Sequence, residues 1–311
     1  MTLVQLRSLC AVVEDGSVTA AAARLWVSPS AVSAAVMALQ RELGVALLAK
    51  DGRGVRVTRA GLVFADYART VLGLLDEAIG AAAAADDPAK GRVRIAAVTT
   101  AAEQVLPGAL ASFRRDQPDV ALDLEVAPRD RVWAMLAAHE TDVVVAGRPP
   151  AGIGGLLRGT RANDLVVVAA PGQTTPVTGE RVRAREGDTP NLGSGGARHR
   201  PHPLATTWLV REPGSGTRAT TTAYLDSLGE EPALLTLGSN GAVVAGAVAG
   251  LGVTLVARDA VERQLAAGEL VEIDLPGTPL SRPWHLVTAP TAGPTVDLLV
   301  AHLLTHGFVV A

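Results

Sequence analysis

Leu3, Leu6, Leu9, Cys10 and Val13 recur at helical spacing until Asp15-Gly16-Ser17 breaks the pattern, which predicts a first helix that buries one face. Thr19 to Leu25 is alanine-rich and predicts a short second helix, whose small side chains permit close approach. Ser28-Pro29 then supplies a capping hydroxyl followed by a proline at the first helical position, where its missing N–H costs nothing. The third helix is expected to run to about Leu43, with Val32, Val36, Leu39 and Leu43 inward and Ser30, Ser33, Ala34, Met37 and Arg41 outward. These helices form either an ordinary three-helix module or a helix-turn-helix, in which the start of the last helix enters the DNA major groove. The next segment favours the second reading. Leu47 to Ala49, the polar turn Lys50-Asp51-Gly52-Arg53-Gly54, and Val55 to Val57 read as a hairpin, a basic wing. Lys50, Arg53, Arg56 and Arg59 then lie where phosphates or the minor groove run.

Thr58 caps a long helix expected from Arg59 to about Ala85. Phe64, Tyr67, Val71, Leu74, Ala78, Ala81 and Ala85 fall at alternating spacings of three and four, an apolar seam that suits a dimer. Asp86-Asp87-Pro88 ends it. From Arg92 strands and helices alternate: strand Val93–Ala97, helix Glu103–Arg114, strand Ala121–Val126, helix Asp130–Ala138, strand Asp142–Val145. A second run has strand Leu165–Ala169, strand Trp208–Val210 and helix Arg218–Leu228. The expected class is α/β multidomain, with parallel sheets covered by helices and a ligand cleft between two α/β halves.

Leu234 to Ala257 carries no charge and is long enough to raise the question of a membrane span. Seven Gly, Ser and Asn interruptions from Gly238 to Gly252 argue against one. The stretch reads instead as buried strand Leu234–Leu237, helix Ala242–Ala249 and buried strand Val253–Ala257, in a parallel sheet because both strands are apolar throughout. Gly172 to Pro203 is rich in Pro, Gly, Thr and Arg without apolar periodicity and reads as a surface loop.

Charge sharpens the functional reading. Residues 1–59 hold seven Lys/Arg against four Asp/Glu, a net +3, and the remainder holds 21 against 27, a net −6. A basic head on an acidic body points to nucleic acid at one end. With 311 residues, 48% apolar and 19% charged, the chain has material for two or three cores and is not a disordered polyampholyte. One cysteine, Cys10, excludes an internal disulfide and reads as a small core residue rather than a reactive thiol. Met1 to Val13 lacks an export signal, so a cytoplasmic address without a membrane partner is expected.

Candidate ligand chemistry lies where strands run into helices. Thr99 and Thr100 follow the first strand of the first lobe, so their hydroxyls are expected at the cleft; a plain helix cap is the alternative. Glu212-Pro213-Gly214-Ser215-Gly216-Thr217-Arg218 joins a strand to a helix in the second lobe, and its glycines, hydroxyls and guanidinium suit an anion unless they merely cap the helix. This turn lacks the spacing of a nucleotide-hydrolysing loop. Ser239-Asn240-Gly241 repeats the arrangement with less charge, and Arg148 sits at the expected crossover between lobes. The histidine pair His199 and His202 falls in the Pro-rich segment and reads as solvated loop rather than a metal site. Nothing assembles nucleophile, base and orienting group, so neither an enzyme nor a cofactor is implied.

Ala21-Ala22-Ala23-Arg24-Leu25, Ser28-Pro29-Ser30-Ala31-Val32-Ser33, Leu43-Gly44-Val45, Leu47-Leu48 and Val57-Thr58-Arg59-Ala60-Gly61 resemble the DNA-binding domain of LysR-type transcriptional regulators. The likeness continues through Leu106-Pro107, Phe113, Arg211 to Arg218 and Gly250-Leu251-Gly252. It implies a winged helix-turn-helix (1–58), a dimerising linker helix (59–89), and a two-lobed periplasmic-binding-protein-like effector domain (90–311). Lobe I is expected at about 90–161 and 267–311, and lobe II at about 162–266. The implied partners are double-stranded DNA, a small effector and a second copy, as homodimer or homotetramer.

Departures matter. The family has Gln then Pro where this chain has Pro29 then Ser30, often a basic residue at Ala34, and Phe and Arg where Leu48 and Lys50 stand. The DNA-binding set is therefore Ser28, Ser30, Ser33, Ala34, Arg41, Lys50, Arg53 and Arg56. The effector set is Thr99, Thr100, Arg148, Ser215, Thr217, Arg218, Ser239 and Asn240, for a probe of anionic character. The expected anion is a carboxylate or a phosphate, and the similarity of the Arg211–Arg218 run to that of carbon-fixation operon regulators brings a phosphorylated sugar into that class. The competing reading is a cytoplasmic metabolite-binding protein whose N-terminal helices only dimerise it; it leaves the basic wing unexplained.

Overall fold

The computed structural model describes residues 1–52, 54–173 and 203–311, so Arg53, His199, His202 and most of the Gly172–Pro203 segment lie outside the described residues. The chain divides into two compact units.

In the first unit, α1 (Leu3–Asp15), α2 (Val18–Leu25) and α3 (Pro29–Leu43) form the head, each started by a hydroxyl cap: Thr2, Ser17 and Ser28. The chain turns by 108° between α2 and α3, the angle of a helix-turn-helix. Leu9, Val36, Leu39, Leu47 and Ala65 make one core, and Ala11, Val12, Ala21, Ala22 and Val32 a second. Alanines at the second core let α1, α2 and α3 close on one another, as the composition predicts.

The hairpin β1 (Leu48–Asp51) and β2 (Gly54–Val57) pairs Leu48 with Val57. Gln40 Oε1 accepts from the N–H groups of Leu47 (2.7 Å) and Leu48 (2.8 Å), which ties α3 to the base of the wing. Thr58 Oγ1 accepts from Gly61 N–H and donates to the Ala46 carbonyl, so one hydroxyl both caps α4 (Arg59–Ala83) and fixes its angle to the head. A Cβ at Gly61 would meet the Leu47 carbonyl at 2.1 Å, so only glycine allows this approach.

The effector region begins with β3 (Arg92–Ala97), α5 (Thr99–Gln104), α6 (Leu106–Asp116), β4 (Ala121–Val126), α7 (Arg129–Ala137), β5 (Val143–Ala146) and β6 (Leu156–Arg161). The second unit follows with β7 (Asp164–Ala169), β8 (Trp208–Val210), α8 (Gly216–Leu228), β9 (Leu234–Thr236) and α9 (Asn240–Val248). It closes with β10 (Thr254–Ala257), α10 (Arg258–Ala266), β11 (Val271–Ile273) and β12 (Leu280–Ser281). The chain then returns for β13 (Trp284–Thr288), α11 (Pro294–Thr305) and β14 (Val309–Val310).

The first unit's sheet has the order β14-β6-β13-β5-β3-β4. The pairs β3–β4 and β3–β5 are parallel, whereas β13–β5 and β14–β6 are antiparallel. The expected single helix from Glu103 is two, α5 and α6, parted at Val105 just ahead of Leu106-Pro107. The physical reason is Pro107, which has no N–H to donate and so cannot continue a preceding helix.

In the second unit β7 is central, flanked by β10 and by β11 with β12, all antiparallel to it; β8 and β9 form a parallel pair. This corrects the all-parallel expectation. Leu165, Val167 and Ala169 face one core and Val166 and Val168 another, so the apolar run records burial on both faces and not strand direction. Nor is Leu234–Leu237 a buried strand: β9 is an edge, with Leu234 47% and Leu235 38% exposed. The return to the first unit comes at His285, not near residue 267, because β11 and β12 pair with β7.

Candidate nucleic-acid interface and effector residues

Helix α3 buries Val32, Val36 and Leu39, which leaves its opposite face open. Ser30, Ala34, Met37 and Arg41 follow one another at intervals of three and four along that face, and all are exposed. Ser33 is half-buried. Ser28, the cap, accepts from Ala31 N–H at 3.2 Å, and its Oγ lies 2.9 Å from Ser30 Oγ, so the two hydroxyls work as a pair at the helix start.

Lys50 and Arg56 are exposed on the wing but do not form one basic face. The register sets Lys50 opposite Val55 and Arg56 opposite Ala49, and strand alternation sends the two cations to opposite sides. Val55 packs on the head's core, which places Arg56 on the outer side. Arg53 lies outside the described residues.

One exposed residue went unnoticed in the sequence pattern. Trp26 is 93% exposed, with φ 56°, at the C-cap of α2. The available signal was a large aromatic in the tight turn just ahead of Ser28-Pro29.

In the first unit, Thr99 and Thr100 open α5 directly after β3, as expected, and both are half-buried. Arg148 is exposed beyond the end of β5, and its carbonyl accepts from Arg129 Nη2 at 2.7 Å.

In the second unit, Ser215 caps α8, accepting from Arg218 N–H at 3.5 Å. The Arg218 guanidinium is held by its own neighbourhood: Nη1 donates to the Arg211 carbonyl (2.8 Å) and to Thr236 Oγ1 (3.0 Å). Gly214 (φ 89°) and Gly216 flank Ser215, and a Cβ on either would meet open space. Behind the turn, Arg211 is buried; its Nε and Nη2 grip both oxygens of Glu212 at 2.7 Å, and Nη1 donates to Asn240 Oδ1. The hydrogen bond to Arg211 holds the Glu212 carboxyl below its usual range. Asn240, buried at the start of α9, also donates toward Glu103 at 3.5 Å. Its amide thus ties α9 to the α8 turn, and Ser239 beside it caps α9 through Ala242 N–H. Arg211 and Glu212 organise this turn from within; the sequence marks them as part of the run but carries no signal for the grip between them.

Among the described residues no single helix is long and apolar enough to cross a membrane, and no three His, Cys, Asp or Glu gather as a metal site.

A helix-turn-helix head, a long connecting helix and two α/β units define a ligand-responsive DNA-binding regulator. The family model described as "Bacterial regulatory helix-turn-helix protein, lysR family" matches residues 3–62, and "LysR substrate binding domain" matches residues 86–307. The chain belongs to the LysR family of transcriptional regulators, which are not enzymes. It is 32% identical over 292 residues to the HTH-type transcriptional regulator CbbR of Xanthobacter flavus, covering 93% of this chain and 82% of that one. Among solved structures it is similar to full-length CbnR complexed with its target DNA (TM-score 0.62, 22% identity, 98% and 100% covered). It is similar also to full-length LysG of Corynebacterium glutamicum with bound effector Arg (TM-score 0.60, 19% identity, 99% and 98% covered).

Proposed function

We propose that this regulator acts in the cytoplasm as a homodimer or homotetramer and that its effector is a small anionic metabolite. The observation that carries the anionic reading is the head of α8. There Arg218 is pinned by the Arg211 carbonyl and Thr236 beside a serine-capped helix start with open space at Gly214 and Gly216. A fixed guanidinium and helix N–H groups favour negative charge. In the second unit Ser215, Thr217, Arg218 and Ser239 are the contacts we assign, with Asn240 positioning them through Arg211. In the first unit we assign Thr99, Thr100 and Arg148. On the DNA side we assign Ser28, Ser30, Ser33, Ala34 and Arg41 to the groove, and Lys50, Arg53 and Arg56 to the backbone.

Pairing of two copies through α4 is supported by its outer face, where Val63, Tyr67, Val71, Leu74 and Ile79 are 43–71% exposed. Phe64 does not belong to that face, since it packs on the head.

Calorimetry of the full chain against a panel of organic acids and sugar phosphates, beside neutral and cationic analogues, tests the effector. Binding of an anion that Thr100→Val or Thr217→Val weakens about tenfold, the order of one lost hydrogen bond to a charged group, supports the reading. Binding of neutral or cationic compounds alone, or an anion held as tightly by both variants as by the wild type, overturns it.

A further inference from the structure

Of the four tryptophans in the chain, Trp133, Trp208 and Trp284 are buried at 8% exposure or less, while Trp26 is 93% exposed. Its backbone is left-handed (φ 56°, ψ 40°), held by its own N–H to the Ala22 and Ala23 carbonyls and by Val27 N–H to the Ala22 carbonyl. The turn needs that conformation, for which glycine or asparagine is the usual occupant and a bulky side chain an outlier. Trp26 and His139 are the only non-glycine residues with positive φ among the described residues. Nothing in the fold of the turn calls for an indole there, and its exposure removes a packing role.

We propose that Trp26 is a DNA contact, laying its indole on the sugar-phosphate backbone beside the groove that receives α3. Trp26 stands two residues ahead of Ser28, the cap of α3, and two residues span at most about 7 Å of chain. In a helix-turn-helix the start of the second helix enters the major groove, which carries the turn just before it to the groove's edge, where the backbone runs. Val27, 48% exposed, continues the same apolar step. An indole offers a flat apolar face to deoxyribose and one N–H to a phosphate oxygen. Trp26 carries no charge, so its contribution releases no counterion and is independent of salt, unlike those of Lys50 and Arg56. Strain in the turn is the local cost of placing such a group at this point.

The test uses the full-length protein and a duplex of the region upstream of its own coding sequence. Trp26 is the only tryptophan that acrylamide reaches, so its quenching reports on one residue. Saturating duplex is expected to protect it to the level of the buried tryptophans. Trp26→Asn, which suits the left-handed turn, is expected to bind about tenfold more weakly at every salt concentration, with an unchanged slope of log affinity against log salt. Its melting temperature is expected to equal or exceed that of the wild type. Four results overturn the proposal: an indole as accessible in the complex as in free protein, an indole already shielded without DNA, unchanged affinity of Trp26→Asn, or weakened affinity accompanied by a lowered melting temperature.

Discussion

His139 Nδ1 lies 2.8 Å from the carboxylate of Glu77, so the linker helix is fastened to the loop that follows α7. The other Glu77 oxygen accepts from the Thr291 hydroxyl, and Arg69, about two turns earlier on α4, lies 3.8 Å from Glu140. Between these polar ties, Gly73 meets the backbone: a Cβ there would lie 2.4 Å from the Ala138 carbonyl oxygen and 2.6 Å from that of His139. The helix that carries the DNA head is thus seated on the first lobe by one glycine and one histidine–carboxylate pair.

Two glycines of this one helix are therefore expected to respond oppositely to alanine. Gly73→Ala forces the helix off its seat and is expected to destabilise by about 1–3 kcal/mol. Gly80→Ala, with nothing within 4 Å of the new Cβ, is expected to stabilise by about 0.5–1 kcal/mol through helix propensity. Denaturant unfolding of both variants checks this; equal effects of one sign would refute the seating.

Leu39 is fully buried among Leu9, Val36, Leu47 and Ala65 where α1, α3, the wing and α4 converge. Leu39→Ala is expected to cost about 2–5 kcal/mol, as lost burial plus a residual cavity. Circular dichroism melts should show the loss, and an effect below 1 kcal/mol would mean that the head repacks freely.

Cys10 is buried under α4 with its thiol toward the Ala65 carbonyl at 3.8 Å, and burial pushes its pKa up to about 11. Native protein at neutral pH should resist a thiol reagent, and labelling should track unfolding because the thiolate is the reactive form. Folding favours the neutral thiol. Its contribution is therefore intact below the ordinary thiol pKa of about 8.5 and is lost as pH rises toward about 11. Rapid stoichiometric labelling of native protein at neutral pH contradicts this.

Arg211 holds Glu212 and Asn240 together, so Arg211→Met removes the donor to the buried Asn240 Oδ1 and loosens the α8 turn, at an expected cost of about 1–3 kcal/mol. Its acid dependence has a defined sign. The Glu212 carboxyl sits below its usual range, so its contribution is present above the unfolded carboxyl value of about 4.3 and is lost only as pH falls through the lower folded value. The gap between the urea midpoints of wild type and Arg211→Met should narrow in strong acid relative to neutral pH, leaving the part due to the Asn240 hydrogen bond.

Local signals carried most of the elements. Ser28-Pro29, Thr58, Ser215 and Ser239 each mark a helix start that the structure confirms by a backbone N–H donating to the cap hydroxyl. Pairing order was not legible. Strand β6, Leu156–Arg161, has no clean alternation, and its partner β14 lies about 150 residues further on, so nothing nearby in sequence marks it. The antiparallel β7–β10 pair was hidden because burial on two faces looks alike in either direction. At the candidate sites, hydroxyl and glycine positions were readable from turn chemistry. The grip of Arg211 on Glu212 and Asn240, and the exposure of Trp26, were not, since they come from an ion grip across two helices and from the handedness of one residue.

The central claim is that two basic heads, paired through α4, engage one duplex. The most direct measurement is the salt dependence of binding to the duplex upstream of the protein's own coding sequence. If Lys50, Arg53 and Arg56 of two heads each meet a phosphate, log affinity against log salt should fall with a slope of about −5 or steeper. A slope of about −3 or shallower, the value for a single head, would contradict the account.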